Sequence, residues 1–367
     1  MINNQGVLQS AGALSVTSGT GFSNSGNLLA LHGTNGGSNE ALTVSAASID
    51  NSGVIDGGGT LSLTASNTTG TSFNNSGSIQ ASGSSTLSVG NQLSNSGAGK
   101  IMGDGLITIT SAAAGFSLDN SGLIQASGNL ALGQVGHLLS LNNSGTILSD
   151  AYLNLFGSSL INSGKLQAAT GATVSGTTFS NSGVSAQFLT STAAGSDGSL
   201  NFSGAVANQG TLQSSGGLNL STTGTINNSG TIKASGSNDT LALSGTTLTN
   251  TGNIDGGDLL NLTATNTSGT TLSNSGQIHS VDDMTILSGG NVSNTATGKI
   301  LSDDLLSVTT GQSSFALSNA GRIQSGTSLT LGGSGHLVGL SNTSSGVIFA
   351  GSTLTVTGGA LSNAGTV

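Results

Sequence analysis

The 367-residue sequence contains no cysteine, proline or tryptophan, and only 5% of its residues are charged. Ordinary helical and α/β enzymes carry roughly 25% charged residues, so this composition excludes them. Five lysines and arginines against fourteen acidic residues give a formal net charge of −9. That balance argues against nucleic acid as a partner, because phosphate binding needs clustered cations. The absence of cysteine is compatible with a secreted bacterial protein that avoids disulfides.

Glycine is abundant, with 61 residues, and 34% of the residues are hydrophobic. Many apolar residues lie in alternating runs such as TLSLTAS, GLITIT and STLTVTG. Alternation with a period of two is typical of strands that bury one face. We therefore expect a folded β protein rather than a disordered chain. The sequence has no run of about 18 apolar residues, so we expect no transmembrane helix. The first residues, MINNQGVLQSAG, lack the pattern of a signal peptide.

A short motif, N-x-G, recurs along the whole chain with a mean spacing of about 22 residues. An apolar residue stands two positions before each asparagine, and leucine, isoleucine or valine follows most copies. Asn181 is an exception, because SGVSAQF follows it. The seventeen anchor asparagines, including two stretched variants at Asn294 and Asn342, are Asn4, Asn24, Asn51, Asn75, Asn95, Asn120, Asn143, Asn162, Asn181, Asn208, Asn228, Asn250, Asn274, Asn294, Asn319, Asn342 and Asn363.

This pattern predicts an all-β fold, a parallel right-handed β-helix (β-solenoid) of about 17 coils of roughly 22 residues. One repeat cannot bury its apolar face alone, so each strand should pair with the equivalent strands of the neighbouring coils. We expect Phe73 and Ile79 to point inward on either side of a corner made by Asn75 and Gly77. The asparagines should stack in a hydrogen-bonded ladder and tolerate the left-handed region, while the glycines should supply positive φ.

A longer period lies on top of the short one. GTLSLTASNTTGTSFNNSGSI at 59–79 returns as DLLNLTATNTSGTTLSNSGQI at 258–278, and GKIMGDGLITI at 99–109 returns as GKILSDDLLSV at 298–308. The offset is 199 residues in both cases, so a block of approximately 51–147 is repeated at 250–346. We expect residues 1–367 to form a single continuous β-helix shaft segment with an internal duplication rather than two domains.

The motif N-x-G-x-[IL]-x-A-x-G-x-L-x-L, seen as NSGSIQASGSSTLSV at 75–89 and NSGLIQASGNLALG at 120–133, resembles the haemagglutinin repeats of filamentous haemagglutinin-like proteins. That family includes two-partner-secretion exoproteins and contact-dependent growth-inhibition toxins. The resemblance implies the structural shaft of a secreted adhesin or toxin-delivery exoprotein at the bacterial cell surface, associated with the outer membrane. It also implies an outer-membrane secretion partner and a host or bacterial surface receptor, both bound through parts outside this segment, and no secretion or toxin domain is recognisable here.

Candidate catalytic and metal-binding residues are few, and we expect no enzyme activity and no cofactor. The histidines are dispersed, and two of them obey the 199-residue offset, which favours a role at a corner of the repeat. The four are His32, His137, His279 and His336. Asp282–Asp283 and Asp303–Asp304 are candidate calcium ligands, but the nonapeptide of calcium-binding β-rolls is absent, which favours solvated corner acids.

Two alternatives stay open at this stage. A β-helical polysaccharide-active enzyme needs acids that converge with basic residues on one face, and the acid pairs have only Lys299 nearby in sequence. A self-associating extracellular fibre needs exposed strand edges at the terminal coils, through which copies pair end to end.

Overall fold

A computed structural model describes residues 1–31, 40–190, 198–236 and 239–367. Over these residues the chain contains strands and no helix, and therefore no helix that is long and apolar enough to cross a membrane. The strands form a parallel β-solenoid of about 15 turns of about 23 residues, which confirms the predicted fold class. The predicted count of about 17 coils of roughly 22 residues is slightly high, since the turns are fewer and slightly longer. The right-handed sense of the coil stays a prediction.

The chain divides into two compact units, Met1–Gly176 (unit 1) and Thr177–Val367 (unit 2). The strands of unit 1 are β1 Ile2–Asn4, β2 Val7–Ser10, β3 Leu14–Thr17, β4 Gly21–Asn24, β5 Asn27–Ala30, β6 Ala41–Ala46, β7 Ser48–Asn51, β8 Val54–Asp56, β9 Thr60–Ala65, β10 Phe73–Asn75, β11 Ser78–Ala81, β12 Ser85–Val89, β13 Gln92–Asn95, β14 Lys100–Gly103, β15 Ile107–Thr110, β16 Gly115–Asn120, β17 Leu123–Ala126, β18 Leu130–Leu132, β19 Leu138–Asn143, β20 Thr146–Ser149, β21 Tyr152–Asn162 and β22 Lys165–Ala168. The continuity of one shaft over residues 1–367 stays a prediction.

Strand β23, Gly171–Asn181, includes the boundary between the units. The further strands of unit 2 are β24 Gln187–Thr190, β25 Gly198–Phe202, β26 Val206–Asn208, β27 Thr211–Ser214, β28 Leu218–Thr222, β29 Thr225–Asn228, β30 Thr231–Ala234, β31 Thr240–Gly245, β32 Thr247–Asn250, β33 Asn253–Asp255, β34 Leu259–Ala264, β35 Thr270–Asn274, β36 Gln277–Ser280, β37 Met284–Ser288, β38 Asn291–Asn294, β39 Lys299–Ser302, β40 Leu306–Thr309, β41 Ser314–Asn319, β42 Arg322–Ser325, β43 Ser328–Leu331, β44 Leu337–Asn342, β45 Val347–Ala350, β46 Thr353–Val356 and β47 Gly358–Asn363.

In both units a typical turn contributes two strands to one parallel sheet and a third strand to another. The third strand follows the N-x-G motif, and its stacked copies form what we call the second sheet. Equivalent residues pair from turn to turn in unit 1, as Phe73 with Leu93 and Ile79 with Ile101. The register shifts between Leu139 and Ser140, where β19 pairs with β21. Phe73 and Ile79 are fully buried, as predicted. Full burial of such a side chain is worth about 1.5–3 kcal/mol, so the stacked apolar residues are the main source of stability.

The anchor asparagines form a buried ladder in each unit, which confirms that prediction. In unit 1, consecutive asparagines from Asn4 to Asn162 are joined by Nδ2–H···Oδ1 bonds of 2.7–2.9 Å. In unit 2, the same bonds run from Asn181 to Asn363 at 2.8–2.9 Å. Asn75 is the last residue of β10, so the ladder side chain projects from a strand rather than from the left-handed corner that we expected.

The glycine of the motif has a different role from the predicted one. Gly77 has no positive φ. A Cβ on Gly77 would lie 2.1 Å from the carbonyl oxygen of Gly53, the equivalent residue one turn away. Glycine is therefore required because stacked backbones approach too closely for any side chain. Gly183, in the irregular SGVSAQF repeat, is an exception with a φ of 88°.

Equivalent residues of the duplicated block have the same local structure in their own units. Residues 134 and 137 of unit 1 form a small antiparallel bridge, and so do residues 333 and 336 of unit 2. Gly133 and Gly332 have φ values of 70° and 76°. The two blocks therefore share these local features, and the duplication of the whole block stays a prediction.

Candidate functional surface

The positively charged side chains share one structural position in each unit, on the strands of the second sheet. After β2, whose Leu8 is exposed, each strand of the second sheet buries its second, apolar residue and points its first and third residues outward, as in the Lys-Ile-Leu of β39. All five lysines and arginines of the chain occupy such outward positions: Lys100, Lys165, Lys233, Lys299 and Arg322. We call this surface the outer face of the second sheet.

Three titratable side chains meet on this outer face in unit 2, and a fourth, Asp303, approaches them from the adjoining corner. The register places Lys233 beside Asp255 and Asp255 beside His279. Lys233 Nζ lies 2.8 Å from Asp255 Oδ2, and His279 Nδ1 lies 3.5 Å from Asp255 Oδ1. On its other side, His279 Nε2 lies 3.5 Å from Asp303 Oδ2. The imidazole thus stands between two carboxylates that come from different turns.

The environment of Asp255 favours its charged form. Partial burial acts to raise the pKa of this carboxyl, but the hydrogen bond and charge of Lys233, the Gly257 N–H and His279 together lower the pKa below its ordinary value. Gly257 N donates to Asp255 Oδ1 at 3.3 Å. Asp255 is therefore an ionised, structurally engaged carboxylate rather than a proton donor at neutral pH.

Sequence reasoning missed this group, because it treated the histidines as dispersed and looked for acids only in adjacent pairs. A signal was present: Lys233, Asp255 and His279 each stand five residues after an anchor asparagine. Residues at the same distance from successive anchors share one column of the sheet. In the first block, Asp56 and Gln80 occupy the positions of Asp255 and His279 and are joined by a 2.7 Å hydrogen bond.

The paired acids proposed as candidate calcium ligands lie at the corner that follows the second sheet. Asp282 and Asp303 are exposed, and Asp283 and Asp304 are half-buried. Asp283 Oδ1 accepts the backbone N–H of Leu305 at 3.3 Å, and Asp304 Oδ1 accepts the Thr327 hydroxyl at 2.6 Å. Within the described parts of the chain, no group of three or more histidine, cysteine or acidic residues is arranged to hold a metal ion.

His137 and His336 occupy equivalent corners in their own units. The Nδ1–H of His137 donates to the Ala113 carbonyl at 2.5 Å, and that of His336 donates to the Gln312 carbonyl at 2.7 Å. Each ring therefore ties one corner loop to the loop of the neighbouring turn, the repeat-positional role that the 199-residue offset suggested. His32 lies outside the described residues.

A recess of about 380 Å³ lies beside the second sheet in unit 1, and its lining includes Leu31, Asp56, Gln80 and Met102. Both oxygens of Asp56 accept hydrogen bonds, from Gln80 and from the Gly58 N–H. Asp56, one of the two acids in the lining, is thus committed to the structure rather than to a ligand.

Comparison with protein-family models, with curated proteins and with solved structures gave no match. The function must therefore be argued from the solenoid and its outer surfaces.

Proposed function

We propose that the chain is the non-enzymatic structural shaft of a secreted, surface-displayed filamentous adhesin or toxin-delivery exoprotein. The observation that carries this proposal is the unbroken asparagine ladder within each unit, stacked beside a continuous column of buried aliphatic side chains. Every ladder step fixes one turn to the next through a buried side-chain bond in addition to the backbone bonds. Such an array resists bending and local opening, which are the properties that a spacer needs.

The resemblance of the N-x-G repeats to haemagglutinin repeats supports the same role. In this proposal the shaft is exported through an outer-membrane secretion partner and holds a binding or toxic domain away from the bacterial surface. The receptor is then contacted by parts of the protein outside this segment. End-to-end self-association stays a prediction.

In-frame excision tests the spacer role, because the duplication offers a join that keeps the turn intact. Removing residues 51–249 from the full-length protein connects Asp50 directly to Asn250, which is the equivalent of Asn51. We expect secretion and surface display to continue, and the activity of whichever domain the shaft carries to persist with shorter reach. Loss of that activity while display is normal would contradict a spacer and place an essential site within the segment.

A polysaccharide-active enzyme is a second candidate function, favoured by the approach of Asp303, at the adjoining corner, to the group formed by Lys233, Asp255 and His279. Glycoside hydrolysis uses two carboxylates that flank the scissile bond, and Asp255 and Asp303 stand on either side of His279. Incubation with a panel of neutral and acidic polysaccharides tests it. Release of reducing or unsaturated ends that disappears in Asp303→Asn would support it, and no release from any substrate would reject it.

A further inference from the structure

Two neighbouring cations on the outer face of the second sheet in unit 2 have no partner of opposite charge among the residues that the structure describes. Lys299 and Arg322 are register partners on β39 and β42, and both are exposed. Like charges on adjacent strands repel each other. Across the described ranges neither side chain enters an ion pair, whereas Lys233 on the same face is neutralised by Asp255 at 2.8 Å.

The solenoid does not need this cation pair for its own packing. In the first block the equivalent positions are Lys100 and Leu123, which are also register partners. Leucine therefore occupies the position of Arg322 in an otherwise equivalent turn. The paired charge is a specific property of the second block, and it has an electrostatic cost without a structural benefit.

The neighbours of the cation pair complete a surface of mixed chemistry. Arg322 Nε donates to Gln324 Oε1 at 2.6 Å, which orients the guanidinium. Gln324 is the register partner of Phe349, whose side chain is 48% exposed. Strands of one sheet are about 4.8 Å apart, so the ammonium, guanidinium, amide and aromatic ring span about 10 Å of a flat face.

We propose that this face of unit 2, formed by Lys299, Arg322, Gln324 and Phe349, binds a carboxylated glycan. An oriented guanidinium with a neighbouring ammonium matches a carboxylate, and the exposed ring offers an apolar surface on which a sugar ring packs. This inference is independent of the shaft role, because a spacer needs no ligand.

Two other polymer classes fit this face less well. An extended peptide that adds a strand needs a free sheet edge, whereas this surface is the side-chain face of paired strands. A densely charged polyanion is disfavoured by the net charge of −9 and by the acids of the adjoining corner, such as Asp303, whose side chain is 65% exposed. A chain with one carboxylate per sugar meets the two cations without approaching many acids.

Isothermal titration with a galacturonate hexamer and with its methyl ester tests the proposal, because esterification removes the negative charges and leaves the sugar backbone unchanged. We expect the acid form to bind and the ester not to bind. Arg322→Leu, which installs the residue of the first block, and Lys299→Gln should each weaken binding by about tenfold, since each removes a charge-assisted contact. Lys100→Gln, the matched change in unit 1, should have no effect.

Four results would overturn the proposal. The first is no binding of the acid form by the wild-type protein, and the second is equal binding of acid and ester. The third is an equal loss of affinity in Lys100→Gln and Lys299→Gln, which would indicate attraction by general charge. Binding of poly-glutamate without binding of galacturonate would also reject the glycan and indicate an acidic protein partner. Circular dichroism of each variant establishes that the solenoid is intact.

Discussion

Substitution of one ladder asparagine tests how much the ladder stabilises the solenoid. Asn75 is 1% exposed, and its Nδ2 donates to Asn95 Oδ1 at 2.8 Å and to the Lys100 carbonyl at 3.1 Å. Its Oδ1 accepts from Asn51 Nδ2 at 2.9 Å. Asn75→Ala removes three hydrogen bonds and leaves buried polar groups on both neighbouring turns without these bonds. Each such group costs about 1–3 kcal/mol, so we expect a loss of roughly 3 kcal/mol.

Hydrogen exchange measured by mass spectrometry is the suitable assay, because long repeat arrays do not unfold in one cooperative step. A loss of about 3 kcal/mol corresponds to a roughly hundredfold faster exchange in peptides that cover β7, β10 and β13. Asn74→Ala is the matched control, because the adjacent Asn74 is exposed and its side chain bonds outward to Asp50. The control should change stability by less than about 1 kcal/mol. Equal effects of the two substitutions would refute the energetic role of the ladder.

Three further predictions follow from the same geometry. Asn75→Asp places a carboxylate against the amide oxygen of Asn95, so the pKa of the new carboxyl is raised in the folded state. The variant should therefore be least stable at neutral pH and should regain stability as the pH falls toward about 4, which urea unfolding at several pH values measures. Gly77→Ala should lower the free energy of unfolding by at least about 2 kcal/mol, because the added Cβ would lie 2.1 Å from the Gly53 carbonyl oxygen. Gly6→Ala is the control: it changes the same motif position, a Cβ there has no atom within 4 Å, and the variant should fold normally in the same assay. Asp255 has a lowered pKa, so the stability that its ion pair contributes is present above the unfolded pKa of about 3.9 and is lost as the pH falls through the folded pKa. Lys233→Met should remove this acid-sensitive stability, which is at most about 1 kcal/mol because both side chains are partly exposed. A stability-versus-pH profile that is the same in the variant and the wild-type protein would contradict the prediction.

The architecture was predictable because the signals that specify it are local and repeated. The alternation of TLSLTAS and the apolar residue two positions before each asparagine identified strands and the buried face, and Phe73 and Ile79 are buried as expected. The roles within the corner were not predictable in the same way. Gly77 must be glycine because the Gly53 carbonyl oxygen, one turn away, leaves no room for a Cβ. This contact forms only when the turns stack, so the local sequence does not indicate it.

The charged face was harder to predict, because turn length varies between anchors. Lys233, Asp255 and His279 are separated by 22 and 24 residues, so no fixed period aligns them. Counting from each anchor asparagine aligns them without a structure. The same count fails for Lys299 and Arg322, which are register partners but stand five and three residues after their anchors. The difference arises because the stretched motif at Asn294 has two additional residues.

Force spectroscopy on single molecules tests most directly the claim that this chain is a shaft built from stacked turns. Each turn of about 23 residues releases roughly 80 Å of chain when it detaches. Because each turn contacts only its neighbours, the account predicts a series of ruptures whose lengths are whole multiples of that value. Extension without discrete ruptures, or steps unrelated to the turn length, would contradict it.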